Sequence, residues 1–168
     1  LGIARGDTNV VIAIVDTGID LFHPDIRSSI AFNFDDPVNG IDCDNDGYID
    51  NFQGWDLGEN DNNPQFNTNA HGLHVAGIAG ASANNGAGIA GVGYRSRILP
   101  IKVSDQDGRL IAAYEGIVYA ADKGADVINL SWGGTMGAGQ FGQDIINYAA
   151  INRDAVVIGA AGNANSAA

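Results

Sequence analysis

Asp16 closes an apolar run, Val10-Val11-Ile12-Ala13-Ile14-Val15, and His71 opens the segment His71-Gly72-Leu73-His74-Val75-Ala76-Gly77. An acid at a strand tip can hold an imidazole in one tautomer, and an imidazole held that way can take a proton from a hydroxyl. Asp16 and His71 therefore read as the acid and the base of a nucleophilic triad. Between them, Asp42-Cys43-Asp44-Asn45-Asp46-Gly47-Tyr48-Ile49-Asp50 offers the carboxylates of Asp42, Asp44, Asp46 and Asp50, Gly47 for a sharp turn, and the backbone carbonyl of Tyr48. Hard oxygens are gathered in this way around Ca²⁺. Gln53 stands where an EF-hand would carry its bidentate Glu, and no flanking helices are legible, so the loop is calcium-loop-like without being an EF-hand.

The elements that would position these groups follow from periodicity. Asn9–Val15 reads as a buried strand, Ala31–Phe34 as a short second strand, and Asp35–Asn69 as a long polar excursion rich in Asp, Asn and Gly. A loop of that length is usually functional or metal-bound. His71–Ser82 reads as a small-residue helix, Arg97–Val103 as a strand, Leu110–Lys123 as a helix closed by Gly124, and Asp126–Leu130 as a strand. Phe141–Asn152 then reads as a helix and Ala155–Ala160 as a last strand. Apolar β-branched runs alternating with helices predict βαβ units and a parallel sheet covered on both faces. In such sheets reactive groups collect beyond the carboxyl ends of the strands, where Asp16, Ser131 and Asn163 fall.

The 168 residues suit one domain, 1–168, with no internal repeat and no linker. Hydrophobic residues at 45% with 24 glycines, and no 18-residue apolar run, describe a turn-rich globule with no membrane span. A net charge of −12 repels nucleic acid and anionic lipid and attracts divalent cations. Cys43 is the lone cysteine, so no internal disulfide is available.

Four segments, Val11–Asp20 with Asp16-Thr17-Gly18, His71–Gly77, Asn129-Leu130-Ser131-Trp132-Gly133-Gly134, and Val157–Asn163 ending Ala160-Ala161-Gly162-Asn163, occur in the order found in the subtilisin family of serine proteases. The chain resembles that family from about Val10 to Asn163. The resemblance implies a three-layer α/β fold with a central parallel sheet flanked by helices, and a secreted, calcium-stabilised endopeptidase acting on polypeptides. It makes Asp16 the orienting acid, His71 the general base and Asn163 the side-chain donor to the oxyanion. Ser131, Trp132 and Gly133 resemble one substrate-binding strand and Gly108, Arg109 and Leu110 the opposite one, with an extended peptide added between them. The ring of Trp132 favours apolar residues upstream of the cleaved bond. Asn85, in Ala83-Asn84-Asn85-Gly86-Ala87, matches a second loop in which an Asn side chain holds Ca²⁺.

Two departures from the family pattern stand out. Leu73 occupies a position where Thr is usual, close to the base. The Gly-Thr-Ser-Met-Ala segment that carries the family's nucleophile is absent, and none of Ser28, Ser29, Ser82, Ser96, Ser104, Ser131 or Ser166 lies in such a segment. In the family's order of acid, base and nucleophile, the Ser is expected downstream of Ala168. The chain then reads as a domain truncated before its last part, inactive alone, and either weakly stable as a monomer or associating with its missing C-terminal piece. A non-catalytic peptide- or partner-binding module of the same fold is the alternative. His71 and His74 lack a third zinc ligand. Gly86-Ala87-Gly88-Ile89-Ala90-Gly91 has the glycine spacing of a dinucleotide site, but the helix precedes it and the strand follows, the reverse of what such a site needs. A single Asp-Thr-Gly cannot form an aspartic protease dyad.

Overall fold

Period-two alternation along Val11–Asp16 (β1) sends Ala13 and Val15 to one side of the strand and Ile12, Ile14 and Asp16 to the other. In the computed structural model, which describes residues 6–133 and 139–163, those two sides are the two faces of one sheet. The strands Trp55–Asp56 (β2), Arg97–Lys102 (β3), Val127–Leu130 (β4) and Val156–Gly159 (β5) join β1 in the order β2-β3-β1-β4-β5, all parallel. Parallel neighbours need crossover connections, and helices supply most of them. His71–Gly80 (α1) precedes β3, Ala113–Asp122 (α2) joins β3 to β4 across β1, and Gly139–Asn147 (α3), continued by a π-helical turn over Tyr148–Asn152, precedes β5.

The two faces bury separate cores. Ala13, Val15, Ile101, Val103, Ile128 and Leu130 pack with Ile117, Ala120 and Ala121 of α2, whereas Ile14 and Ile98 pack with Ala76 of α1 and with Ile19, Ile26 and Ile30. This is the expected three-layer arrangement. Gly116 lets α2 close on the sheet, since a Cβ there would lie 2.5 Å from a Val103 methyl and 2.6 Å from a Val15 methyl.

Several boundaries move. Ala31–Phe34 makes no strand: one rung joins Ile30 to Ile98, after which Phe32 and Phe34 turn aside to pack with Phe52 at ring separations of 5.0 and 5.7 Å. The outer edge of β3 accepts one neighbour per rung, and β2 takes its far end, with Trp55 opposite Ile101 and Asp56 opposite Lys102. The helix expected over Leu110–Lys123 starts at Ala113 because Leu110 is held in a bridge to Ser104. The helix expected over Phe141–Asn152 changes to π geometry at Tyr148, whose hydroxyl reaches Asp122 while Arg153 binds both. Gly134, the end of the Ser131 segment, and Ser166 lie outside the described residues.

Lys102, last in β3, is 1% exposed and holds Asp56 at 2.6 Å, with Glu59 at 3.6 Å. Burial raises the Asp56 carboxyl above its ordinary value even though the Lys102 ammonium opposes it. Removing one partner of such a pair strands the other in a dry interior. Lys102→Met is expected to cost about 3–5 kcal/mol by urea denaturation. Adding Asp56→Asn, which keeps an oxygen for the Gly58 and Glu59 amides, is expected to recover part of that loss. A Lys102→Met protein as stable as the parent would show that the ammonium is not confined.

Candidate active site

β1 is the topological switch of this sheet, with β3 on one side and β4 on the other, and its carboxyl end carries Asp16. Asp16 is 2% exposed, and its Oδ1 accepts hydrogen bonds from the Thr17 amide at 2.7 Å and from Nδ1 of His71 at 2.8 Å. A carboxylate can only accept, so Nδ1 carries a proton, and in the neutral ring the lone pair is on Nε2. Asp16 Oδ2 is buried without a partner among the described residues. The His71 side chain is 47% exposed, whereas the carboxylate that holds it is buried. This arrangement can take up a proton on one side and stabilise the resulting imidazolium on the other.

His71 is placed by contacts across 55 residues of sequence. A Cβ on Gly72 would lie 2.4 Å from the Gly18 carbonyl oxygen, so α1 starts directly against the turn that follows β1. Gly18, at φ +95°, makes that turn, and a side chain there would meet the backbone of Pro64–Phe66. Leu73, the departure beside the base, packs against the Ile14–Ala76 core, with Ile12 and Val75 against the same cluster.

The segments around Ser131 and Gly108 lie at the same end of the sheet. Ser131 and Trp132 follow β4, where Asn129 Nδ2 donates to Ser131 Oγ at 2.8 Å and the Trp132 indole donates to the Val15 carbonyl, also at 2.8 Å. The Trp132 ring forms part of the wall of a cleft of about 370 Å³ that Tyr114, Ile117, Leu130 and Ile146 also line. Gly133 is exposed. On the other side, Asp105–Arg109 is a tight turn with Gly108 at φ +81°, pressed so closely to Asn69 that a Cβ would sit 2.8 Å from its Cβ. Arg109 points to solvent and Leu110 packs on the core. Asn163 is exposed just past β5, at the carboxyl end of the sheet.

The acidic loop folds around its own amides. Asp42 accepts from the Asp46 and Gly47 amides, and Asp46 from the Tyr48 amide and the Asn51 side chain. Asp50, at φ +61°, turns both oxygens to the Asn39 and Gly40 amides. The carboxylates that converge are Asp42, Asp44 and the fully buried Asp36, with ligand atoms within 4.8 Å of one another; Asp46 and Asp50 are not in that group. Asp44 Oδ1 is buried with no donor among the described residues. Lys123, from the end of α2, reaches Asp44 at 3.2 Å and also pairs with Asp46. Burial alone would raise the Asp44 carboxyl; hydrogen bonds from Asn33 and Lys123, with the Lys123 charge, outweigh it and hold the carboxyl below its ordinary value. The Tyr48 ring packs edge-on against Trp55 and Tyr119. Asn85 meets a different carboxylate: its Nδ2 donates to buried Asp25 at 2.6 Å, and the Ile89 amide donates to the other Asp25 oxygen at 2.9 Å. Gly88, one of the dinucleotide-spaced glycines, serves this approach, since a Cβ there would overlap Asp25 Oδ2 at 2.1 Å.

Sequence reasoning did not single out Asp25, Asp36, Asn69 or the Lys102–Asp56 pair. Asn69 had a legible signal, a capping residue type just ahead of a helix. Asp25 and Asp36 had none, because their partners lie at separations that no local pattern encodes.

The model of the subtilase family, peptidase S8, matches residues 7–168. Thermitase from Thermoactinomyces vulgaris is 42% identical over 168 residues, which cover 99% of this chain and 51% of thermitase. A thermophilic serine proteinase from Bacillus sp. strain AK1 is 38% identical over 166 residues, 98% of this chain and 35% of that protein. Among solved structures, a protease from Pseudoalteromonas arctica PAMC 21717 superposes with a TM-score of 0.69 at 33% identity, covering 96% of this chain and 52% of that one. The chain thus spans about half the length of thermitase and about a third of the Bacillus enzyme. With a parallel sheet of the subtilase kind, an acid and an imidazole joined at its switch strand, and a family match along nearly its whole length, this chain belongs to the subtilase family.

Proposed function

We propose that the protein is a serine endopeptidase in which Asp16 orients, His71 transfers the proton, Asn163 stabilises the oxyanion, and a serine outside these 168 residues supplies the nucleophile. The observation that carries this reading is the 2.8 Å hydrogen bond between Nδ1 of the half-exposed His71 ring and the buried Asp16 carboxylate, which leaves Nε2 for the proton transfer. The serine oxygen attacks the scissile carbonyl carbon as its proton passes to Nε2. The imidazolium then gives that proton to the leaving amine, the acyl-enzyme forms, and water repeats the sequence to release it. The Asn163 side-chain amide donates to the tetrahedral oxyanion. A polypeptide substrate lies extended between Gly108-Arg109-Leu110 and Ser131-Trp132-Gly133, and the apolar cleft beside Trp132 favours an apolar residue upstream of the cut.

Calcium is the structural ion that this donor set suits, because hard oxygens from Asp36, Asp42 and Asp44 converge and one of them has no donor among the described residues. Asp46, Asp50 and the Tyr48 carbonyl belong to the same loop, Asp50 acting by fixing the turn at Asn39 and Gly40. Asp25 and Asn85 are the side chains for a second ion. The rest of the peptidase domain adds beyond β5, the last strand in the sheet order, where Val156 and Ile158 are exposed. Such a protein is secreted.

A serine-directed fluorophosphonate is expected to label the complete gene product and to leave the 168-residue chain unlabelled. Asp16→Asn in the complete protein should lower kcat by about 10⁴, because an amide in place of the acid holds the imidazole in the wrong tautomer. Labelling of the short chain alone would overturn the assignment of the nucleophile. Chelation should lower the Tm and added calcium restore it, with about 2.7 kcal/mol gained at a hundredfold excess over Kd; an unchanged Tm in both directions would remove calcium from the account.

A further inference from the structure

We propose that Thr17 is a positioning residue for the proton transfer: its hydroxyl caps α1 from the turn after β1 and so sets the His71 ring against Asp16. The inference rests on the protease reading above. Helix α1 has Ala70 at its cap position, which offers no side-chain acceptor, so its first amides must find oxygens elsewhere. The His71 amide donates to Asn69 Oδ1 at 3.0 Å, and the Gly72 amide donates to Thr17 Oγ1 at 3.0 Å. The Thr17 hydroxyl in turn donates to the Asn69 carbonyl at 2.8 Å. With one hydrogen given and one received, it ties the helix start and the chain leading into it to a single atom.

The same residue holds the other half of the couple. The Thr17 amide donates to Asp16 Oδ1, the oxygen that His71 also uses, and Asp16 Oδ2 has no partner among the described residues. Thr17 is 5% exposed, so water does not compete for these bonds. The backbone of Thr17 therefore aims the acid while its hydroxyl aims the base. Only the second function depends on the side chain, which makes it separable by substitution. A shift of about 1 Å at a reacting group costs on the order of 10²-fold in rate.

The test uses the complete gene product. Thr17→Val keeps shape and removes the hydroxyl; kcat should fall by roughly 10–100-fold with KM within about twofold, well below the variant's Tm. Thr17→Ser should return kcat to within about threefold of the parent, which a packing role for the methyl group would not produce. Hydrogen exchange on the unsubstituted protein is an independent measurement that requires no folded variant: the Gly72 amide should be protected. Wild-type kcat in Thr17→Val, no recovery in Thr17→Ser, or a freely exchanging Gly72 amide would each overturn the positioning role while leaving the protease reading intact. A complete protein that neither hydrolyses peptide nor reacts with fluorophosphonate would overturn that reading instead.

Discussion

Burying the Asp16 carboxylate at the tip of β1 carries a desolvation cost that only directed donors offset, and the described residues provide two, the Thr17 amide and the His71 ring. Meeting that requirement brings α1 to the strand tip. It makes Gly72 necessary where the helix touches Gly18, and it leaves the first turn of α1 to be capped by Asn69 and Thr17. The base is thereby held on its acid side and open on the other. A more exposed Asp16 would bind His71 less tightly, because water would compete for both groups.

The sheet determines where that couple sits. Asp16 shares a face with Ile14, and α1 covers that face, whereas α2 covers the face of Val15. The crossover from β3 to β4 passes over β1, so the segment after β4 lands beside the Asp16 tip, and the Trp132 indole binds the carbonyl of the residue before Asp16. The Gly108 turn reaches the same region by leaning on Asn69, which also caps His71. The Asp16–His71 couple and the segments around Trp132 and Gly108 thus share contacts.

Away from the couple, excess negative charge is managed by cations and amides inside the fold. Lys102 neutralises Asp56 in the interior, and Lys123 stands against Asp44 and Asp46. The remaining loop carboxylates mostly accept backbone amides, which stiffens a segment that has little regular structure of its own. Within it, Asp36, Asp42 and Asp44 bring carboxylate oxygens within 4.8 Å of one another.

Periodicity and motif order were enough to read the parallel α/β layering, the subtilase relationship and the Asp16–His71 pairing, since each is carried by residues adjacent in sequence or by a fixed order of segments. Element ends were less legible: Ala31–Phe34 lost its strand because β2 occupies the competing edge of β3, and α2 began late because Leu110 bridges Ser104. The loop's acidic spacing indicated a cation site, but which carboxylates converge depends on where each chain segment crosses. Asp36 joined Asp42 and Asp44, whereas Asp50 turned to Asn39 and Gly40. Local sequence thus determined which chemistry is present, because residue type and short-range spacing encode acids, bases and strands. Tertiary structure alone decided which oxygen meets which donor, as with Asp25 and Asn85 or Thr17 and Gly72, because those contacts join segments more than 50 residues apart.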